Sequence, residues 1–340
     1  MKNSGVLKGF VMIGMLLLTW GAHAQVEEIR WLTVSDAEKQ FKEQAKPYLF
    51  DFYTDWCGWC KHMDKTTYAD PVVASFVNRY FYPVRVNAES ADTIVFGGKV
   101  YAPVQNGNKS ISSLALEMLG GKLSYPTTVF LYEPGKINMV VPGYLEVTKM
   151  QGFLVYFIEN AWQSANINEF LTDFEKVFGA GAMKEPTPVT YWTAFGDLDK
   201  RQREQKKKTL LFLEGSWNNS SKMMERVVFS DSLFAAEAQD HFYCLRLDAQ
   251  AKDTITFMTH TFQNAGPQNN NLHQLAIALS DKILKVPSIY IFDEEGKLME
   301  NLSYYMDRER GRMVLDYIGN DTFKNMSWTD YLKMREKETL

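Results

Sequence analysis

Two halves of this chain match each other at one constant offset, and this internal repeat constrains the fold more than any other feature of the sequence. Trp31 pairs with Trp192, which sets the offset at 161 positions. The same offset pairs Leu49 with Leu210, Trp56 with Trp217, Met63 with Met224, Asp70 with Asp231, Arg85 with Arg246 and Pro126 with Pro287, and the match ends near Gly135-Lys136 and Gly296-Lys297. Chance does not hold one register over about a hundred positions, so the sequence predicts a tandem duplication of one domain.

The length of the chain fits this duplication. A single hydrophobic core rarely grows past ~250 to 300 residues, and the chain has 340. We predict a first domain over residues 25–165, a helical linker over residues 166–190 and a second domain over residues 191–340. Within the linker, Glu185-Pro186-Thr187-Pro188 is predicted to be extended, because proline restricts its own backbone and that of the preceding residue.

The first 24 residues predict a secretory signal peptide. Lys2 and Lys8 accompany an apolar run from Phe10 to Trp20, and Ala22-His23-Ala24 forms a cleavage pattern. The run is shorter than the ~20 residues of a membrane-spanning helix, and no later stretch approaches that length. We therefore expect cleavage after Ala24, a mature chain without a transmembrane segment, and export to the periplasm, which is an oxidising compartment.

The charge and cysteine content exclude two classes of protein. There are 37 lysine and arginine residues against 41 aspartate and glutamate residues, and without Lys2 and Lys8 the balance of 35 against 41 gives a net charge of −6. Such a mildly acidic chain gives no electrostatic reason to expect a nucleic acid partner. Cys57, Cys60 and Cys244 are too few for a scaffold stapled by disulfides, so any role of cysteine must be local.

Strand-like and helix-like segments alternate along the first repeat. Strands are predicted at Tyr48–Tyr53, Phe81–Val86, Thr127–Tyr132 and Ile137–Val141, and helices from Ser35 or Asp36 to Ala45, over Trp59–Tyr68, from Asp70-Pro71, over Ile111–Leu119 and over Thr148–Trp162. This alternation predicts an α/β fold in which helices cover a mixed sheet. Residues 95–110, rich in glycine and asparagine, are interpreted as a loop-like insertion.

The pattern Cys57-Gly58-Trp59-Cys60 lies where a predicted strand ends and a helix begins. The free amide groups and the positive end of a helix dipole stabilise a thiolate on the first cysteine, and the short turn keeps the second within disulfide reach. A zinc site would need two further ligands, and His62 is the only nearby candidate. Covalent haem needs histidine after the second cysteine, where Lys61 stands. A purely structural disulfide across so short a loop would stabilise little, so the pattern favours redox chemistry without a metal.

The segment LFDFYTDWCGWCKHMDKTTYADPVV, residues 49–73, resembles the active-site segment of the thioredoxin superfamily. It is most similar to the periplasmic thioredoxin-like domain of the membrane disulfide reductases DsbD and to its soluble relatives, over about Trp31 to Trp162. The resemblance implies a tandem duplication of a thioredoxin-like three-layer α/β/α sandwich around a mixed sheet. Trp59 departs from the pattern, because thioredoxins commonly have proline there.

The resemblance also implies catalytic roles for three residues. Cys57 would attack a partner disulfide, and Cys60 would then resolve the mixed disulfide. Asp51, six positions before Cys57, stands where thioredoxins have a buried carboxylate, and it would accept the proton of Cys60. The alternative for Asp51 is a satisfied polar group at the end of a strand.

Substrate-binding roles are implied for Trp56, Gly58, Trp59, Tyr125 and Pro126. Pro126 would be a cis proline that presents the neighbouring backbone to an extended substrate segment, and its alternative is an ordinary turn proline. The two tryptophans either form an apolar collar around the sulfur or simply pack.

The second repeat lacks the residues of this chemistry. The offset places Asn218, Ser221 and Phe212 at the positions of Cys57, Cys60 and Asp51. We interpret this repeat as a retired active site, in which Trp217 and Pro287 remain as framework or as a peptide-docking groove. Cys244 is expected to be a buried, inert thiol.

Together these features predict an exported thiol-disulfide oxidoreductase of the reductase or isomerase type. Its substrates would be exported proteins with disulfides, a membrane protein would supply its electrons, and the Cys57–Cys60 pair would be its only cofactor. The alternative is a protein-binding or scaffold module in which the redox pair is vestigial.

Overall fold

The computed structural model of the chain describes residues 27–132, 138–182, 191–281 and 283–338. The predicted signal peptide, Glu185-Pro186-Thr187-Pro188 and Gly135-Lys136 lie outside the described residues. Within the described ranges, no helix is both long and apolar enough to cross a membrane.

The first repeat consists of short helices and strands that alternate much as the sequence predicts. Its elements are α1 (Val34–Glu43), β1 (Tyr48–Tyr53), α2 (Gly58–Lys65), α3 (Pro71–Tyr80), β2 (Tyr82–Asn87), β3 (Ile94–Phe96), β4 (Lys99–Tyr101), β5 (Val104–Asn106), β6 (Lys109–Ile111), α4 (Ser113–Met118), β7 (Thr127–Leu131), β8 (Asn138–Pro142), α5 (Val147–Ile158) and α6 (Ile167–Phe178).

Polar caps and a left-handed residue set the helix ends. Asp70 caps α3 as predicted, since its Oδ1 accepts the N–H groups of Val72 and Val73. The cap of α1 is Thr33, so the predicted Ser35 or Asp36 is wrong: the Thr33 hydroxyl accepts the N–H of Asp36. Helix α5 ends at Ile158, short of the predicted Trp162, because the chain turns into a left-handed conformation two residues later.

The predicted three-layer sandwich is confirmed. Strands β2, β1, β7 and β8 form a mixed sheet in that order, with β1 parallel to β2 and antiparallel to β7. Side chains of β1 alternate between the two faces. Tyr48, Phe50 and Phe52 pack with α1 and α4 on one face, and Leu49 packs with α2, α3 and α5 on the other.

The loop-like interpretation of residues 95–110 is wrong, because this segment forms two β-hairpins. In the first hairpin β3 pairs with β4 around Gly97-Gly98, and in the second β5 pairs with β6 around Gly107-Asn108. Gly97, Gly98 and Gly107 have positive φ, which two-residue hairpin turns require. The insertion is therefore an ordered part of the first domain.

The second repeat reproduces the first except for the hairpin β5–β6. It contains α7 (Phe195–Glu204), β9 (Lys208–Glu214), α8 (Asn219–Met223), α9 (Ser232–His241), β10 (Phe242–Asp248), β11 (Ile255–Phe257), β12 (His260–Phe262), α10 (Gln274–Leu279), β13 (Ser288–Phe292), β14 (Leu298–Leu302), α11 (Arg308–Gly319) and α12 (Trp328–Glu338). Its sheet has the equivalent order, β10-β9-β13-β14. Helices α1 and α7, α3 and α9, and α5 and α11 match end for end at the offset of 161, and α6 begins at Ile167 as α12 begins at Trp328. The duplication thus extends beyond the expected end near Gly135-Lys136.

Helix α6 lies within residues 166–190 and joins the two repeats through a shared core. Phe170 and Phe174 are buried with residues of the second repeat. The ring of Phe170 meets the edge of Tyr305 at a centroid distance of 5.1 Å, and the Tyr305 hydroxyl donates to the buried Asp173 at 3.1 Å. The two repeats therefore share apolar contacts and buried hydrogen bonds.

Candidate active site

The cysteine pair lies at the start of α2 and is joined as a disulfide. Cys57 is the N-cap of this helix, and its Sγ accepts the backbone N–H of Cys60 at 3.0 Å. Both cysteines are 3% exposed. The sulfur that the sequence assigns to attack thus lies against the amide end of a helix, where negative charge is stabilised.

Three predicted substrate-binding residues, Trp56, Tyr125 and Pro126, lie together, because Trp56, which precedes Cys57, contacts Tyr125. The rings of Trp56 and Tyr125 are 6.2 Å apart, edge to face. The peptide bond between Tyr125 and Pro126 is cis, as the resemblance implies. The Pro126 carbonyl accepts the N–H of Gly143, which fixes this loop to the end of β8.

Gly58 and Trp59 lie between the two cysteines and begin α2. A Cβ on Gly58 would meet nothing within 4 Å, so the surface beside the disulfide is open there. Trp59 is 62% exposed and contacts the rings of His62 and Tyr144 at 5.7 and 5.6 Å. Trp59 therefore packs with exposed rings next to the helix start and is not part of the core.

Asp51 is 1% exposed on β1. Its carboxylate accepts the Arg85 Nε–H at 3.0 Å and the Tyr68 hydroxyl at 3.3 Å. Burial raises the pKa of Asp51 to about 6, against the opposing charge of Arg85. Asp51 is thus a satisfied polar group whose pKa lies closer to neutral pH than that of a free aspartate.

Arg85 connects Asp51 to the helix that carries Cys60. Its guanidinium donates to both oxygens of Asp64 on α2, at 2.7 and 2.9 Å, and lies 4.6 Å from the ring centre of Tyr53. A planar donor of this kind suits two carboxylates at once. Arg85 therefore ties β1, β2 and α2 together behind the disulfide.

We predict that Asp51→Asn stabilises the protein at pH 7. An unfolded aspartate titrates near 3.8, whereas Asp51 in the folded protein titrates at about 6. Between these values the folded state binds the extra proton, so stability falls as the pH rises from 4 to 6. Removing the charge should raise the free energy of unfolding by about 2 to 3 kcal/mol at pH 7, with the gain disappearing near pH 4 in urea titrations.

Asp64→Asn is the matched control, because it removes a carboxylate from the same arginine at a site that is 34% exposed. It should give no such gain. If Asp51→Asn were less stable than the wild type at every pH, the Arg85 ion pair would outweigh the cost of burying the charge.

The structural units coincide with two matches to one known domain. The family described as the thioredoxin-like domain matches residues 34–158 and again residues 196–319, which together exceed half of the chain. The chain belongs to the thioredoxin-like family. It contains two thioredoxin-like domains, and the first of them carries the Cys57–Cys60 disulfide.

Individual curated relatives match only a part of this thioredoxin-like chain. Two proteins of Vibrio vulnificus, both named thiol:disulfide interchange protein DsbD, are 33% and 35% identical over 63 and 60 residues, or 17% of the chain. The chain spans 10% of the length of these curated relatives.

Two of the similar solved structures each cover less than half of the chain. A thioredoxin-fold protein from Helicobacter pylori is 18% identical, with 39% of this chain and 81% of that chain covered and a TM-score of 0.30. The C-terminal domain of DsbD from Neisseria meningitidis in its oxidised form is 22% identical, with 37% and 90% covered and a TM-score of 0.26. Scores of this size add nothing to the family match.

The equivalent site of the second thioredoxin-like domain contacts the first domain at the start of α8. Asn218 caps α8 in place of Cys57, since its Oδ1 accepts the N–H of Ser221 at 2.7 Å. The Glu159 carboxylate, at the end of α5, accepts the N–H groups of Asn219 and Ser220 at 3.1 and 2.7 Å. A carboxylate of one domain thus occupies the helix start of the other.

The expectation that the second domain has lost its buried acid needs a correction. Phe212 does stand at the position of Asp51, but Glu214, two residues further on the same face of β9, is 7% exposed and accepts the Arg246 Nε–H at 2.5 Å. Arg246 also pairs with Glu225 at 2.8 Å. The arginine between two carboxylates is therefore kept in both domains, although the cysteines are not.

Cys244 lies on β10, is 1% exposed, and burial raises its pKa to about 12. The expected buried thiol is confirmed. Within the described part of the chain, no group of three or more histidine, cysteine, aspartate or glutamate side chains could hold a metal ion.

The sequence predicts no role for five residues that contact these sites, namely Asp64, Arg85, Glu89, Lys109 and Glu159. A signal for Arg85 exists, because the repeat keeps an arginine on a buried strand at Arg246. Glu89 and Lys109 both contact the side chain of Trp56. Lys109 lies in the segment 95–110, which is not a loop as predicted, and Glu89 lies before that segment. The roles of Cys57, Cys60, Asp51 and the five substrate-binding residues stay predictions.

Proposed function

We propose that this protein is an exported thiol-disulfide oxidoreductase of the reductase or isomerase type. The observation that carries the proposal is the Cys57–Cys60 disulfide at the start of α2, where the Cys57 sulfur accepts the Cys60 N–H. Next to Cys57, the ring of Trp56 contacts Tyr125, which precedes the cis proline Pro126. Membership of the thioredoxin-like family supports it.

In the proposed reaction the reduced pair passes two electrons to a substrate disulfide. The Cys57 thiolate attacks one substrate sulfur, a mixed disulfide forms, and the other substrate sulfur leaves as a thiolate that takes up a proton. Cys60 gives its proton to Asp51 and attacks the Cys57 sulfur, which restores the Cys57–Cys60 disulfide and releases the second substrate sulfur as a thiolate that takes up the proton from Asp51. No cofactor other than this pair takes part.

The substrates we propose are exported proteins with disulfides, in the periplasm, and the electrons would come from a membrane protein. An oxidising compartment does not itself regenerate a dithiol, so turnover as a reductase needs such a donor. The predicted leader and the local similarity to DsbD motivate this assignment. The alternative is a binding module with a vestigial pair.

The test is insulin reduction by the purified protein with dithiothreitol as electron source, together with equilibration in glutathione buffers. We expect faster precipitation of insulin chains and a reduction potential well below the −120 mV or so of a strong oxidant such as DsbA. A potential near that value would overturn the reductase direction. If the protein neither accelerates insulin reduction nor equilibrates with glutathione, the redox function is excluded.

A further inference from the structure

Trp56 is held in one position although its side chain is 63% exposed. Its indole N–H donates to Glu89 Oε2 at 3.0 Å, and Lys109 Nζ lies 5.6 Å from the ring centre. Lys109 also binds the second oxygen of Glu89 at 2.9 Å. The rings of Trp56 and Tyr125 also contact each other edge to face. The indole is therefore fixed by Glu89, Lys109 and Tyr125, and we name these three residues the Trp56 clamp.

The second domain keeps the tryptophan and loses the clamp. The offset of 161 places Gln250, Asn270 and Val286 at the positions of Glu89, Lys109 and Tyr125. The hairpin that carries Lys109, β5–β6, has no strand counterpart at the offset, where a short 3-10 helix over Pro267–Asn269 lies instead. Within one chain, the clamp accompanies the cysteine pair.

Trp217, which has no such clamp, occupies a position that is not open to Trp56. Trp217 lies over Gly215, so closely that a Cβ there would come within 2.9 Å of its ring. Thr54, which carries a Cβ, stands at the equivalent position of the first domain. The fold therefore accommodates this tryptophan without a clamp, and the clamp sets a different position beside the reactive disulfide.

We propose that Lys109 is a positioning residue that, through Glu89, holds Trp56 ready to contact an apolar side chain of a protein substrate. This inference rests on the proposed function. A free, exposed side chain loses rotational freedom when a protein binds over it, and a side chain that is already fixed avoids that cost. The clamp should thus strengthen binding of protein disulfides without changing the exchange chemistry, and a small disulfide should not depend on it.

The test compares Lys109→Met with wild-type protein on two substrates, insulin and glutathione disulfide. We expect the KM for insulin to rise about threefold to tenfold, which corresponds to fixing one side chain on binding, while kcat and the rate with glutathione disulfide stay unchanged. Lys109→Arg should restore the KM, because arginine keeps both the ion pair and the cation over the ring.

Lys99→Met is the matched control, since Lys99 pairs with Glu117 and lies 4.9 Å from the ring centre of Tyr101 in the neighbouring hairpin. It should leave both substrates unaffected. An unchanged KM for insulin in Lys109→Met would overturn the inference, and so would an equal loss of rate with insulin and glutathione disulfide. If wild-type protein reacts with neither substrate, the proposed function itself fails.

Discussion

Cys57→Ser should lower the rate of insulin reduction by at least about 1000-fold, because a serine hydroxyl is not ionised at neutral pH and forms no disulfide. Cys60→Ala should fail in a different way. Its Cys57 can still attack, but nothing resolves the product, so a mixed disulfide with insulin should accumulate. Non-reducing gels and mass spectrometry of the Cys57 peptide would detect it.

Cys244→Ser provides the control for these variants, because Cys244 is a buried thiol of the second domain. It should retain the wild-type rate. Residual turnover in Cys57→Ser would show that the pair is not the reaction centre. A Cys60→Ala protein that forms no adduct would instead show that Cys57 is not the attacking thiol.

Phe170→Ala should lower the free energy of unfolding by about 4 kcal/mol, the loss typical of a fully buried phenylalanine. The ring of Phe170 is fully buried and lies 5.1 Å from the rings of both Tyr156 and Tyr305. Because these tyrosines belong to different domains, the deletion should also weaken the coupling between them. We expect urea unfolding to change from one transition to two, followed by circular dichroism and tryptophan fluorescence.

Phe323→Ala removes the same side chain from a surface position that is 37% exposed. It should cost about 1 kcal/mol and leave the number of transitions unchanged. An equal loss in both variants, with one transition in each, would mean that α6 contributes no special link between the domains.

The repeat predicts most of this fold because it supplies a second copy of the same information. The strand Tyr48–Tyr53 is predicted to the residue, since its apolar run is buried on both faces of a sheet. The cap at Asp70 is equally direct, as an aspartate before a proline satisfies the first helical amides. In such segments local chemistry and tertiary packing favour the same structure.

The misses occur where the decisive contacts are distant in sequence. The two hairpins have strands of three residues, too short for a periodic pattern, although Gly97-Gly98 and Gly107-Asn108 are turn signals. The partner of Asp51 is 34 residues away on β2, and no spacing indicates that Arg85 lies beside it.

The shift of the second domain's acid to Glu214 is a further example. A strand presents alternate residues on one face, so a carboxylate can move two positions along β9 and still reach the same arginine, whereas an alignment of positions reports only a loss.

The position of Glu159 has a consequence for the history of the duplicated chain. Its carboxylate accepts the amides of Asn219 and Ser220, next to the Ser221 amide that a thiolate at residue 218 would use, and Ser220 and Ser221 are buried. A thiolate at this helix start would be repelled by the Glu159 carboxylate, so this contact between the domains opposes a reactive thiol in the second one. Once the halves had closed on this carboxylate, putting two cysteines back would not by itself restore a reactive thiolate at residue 218.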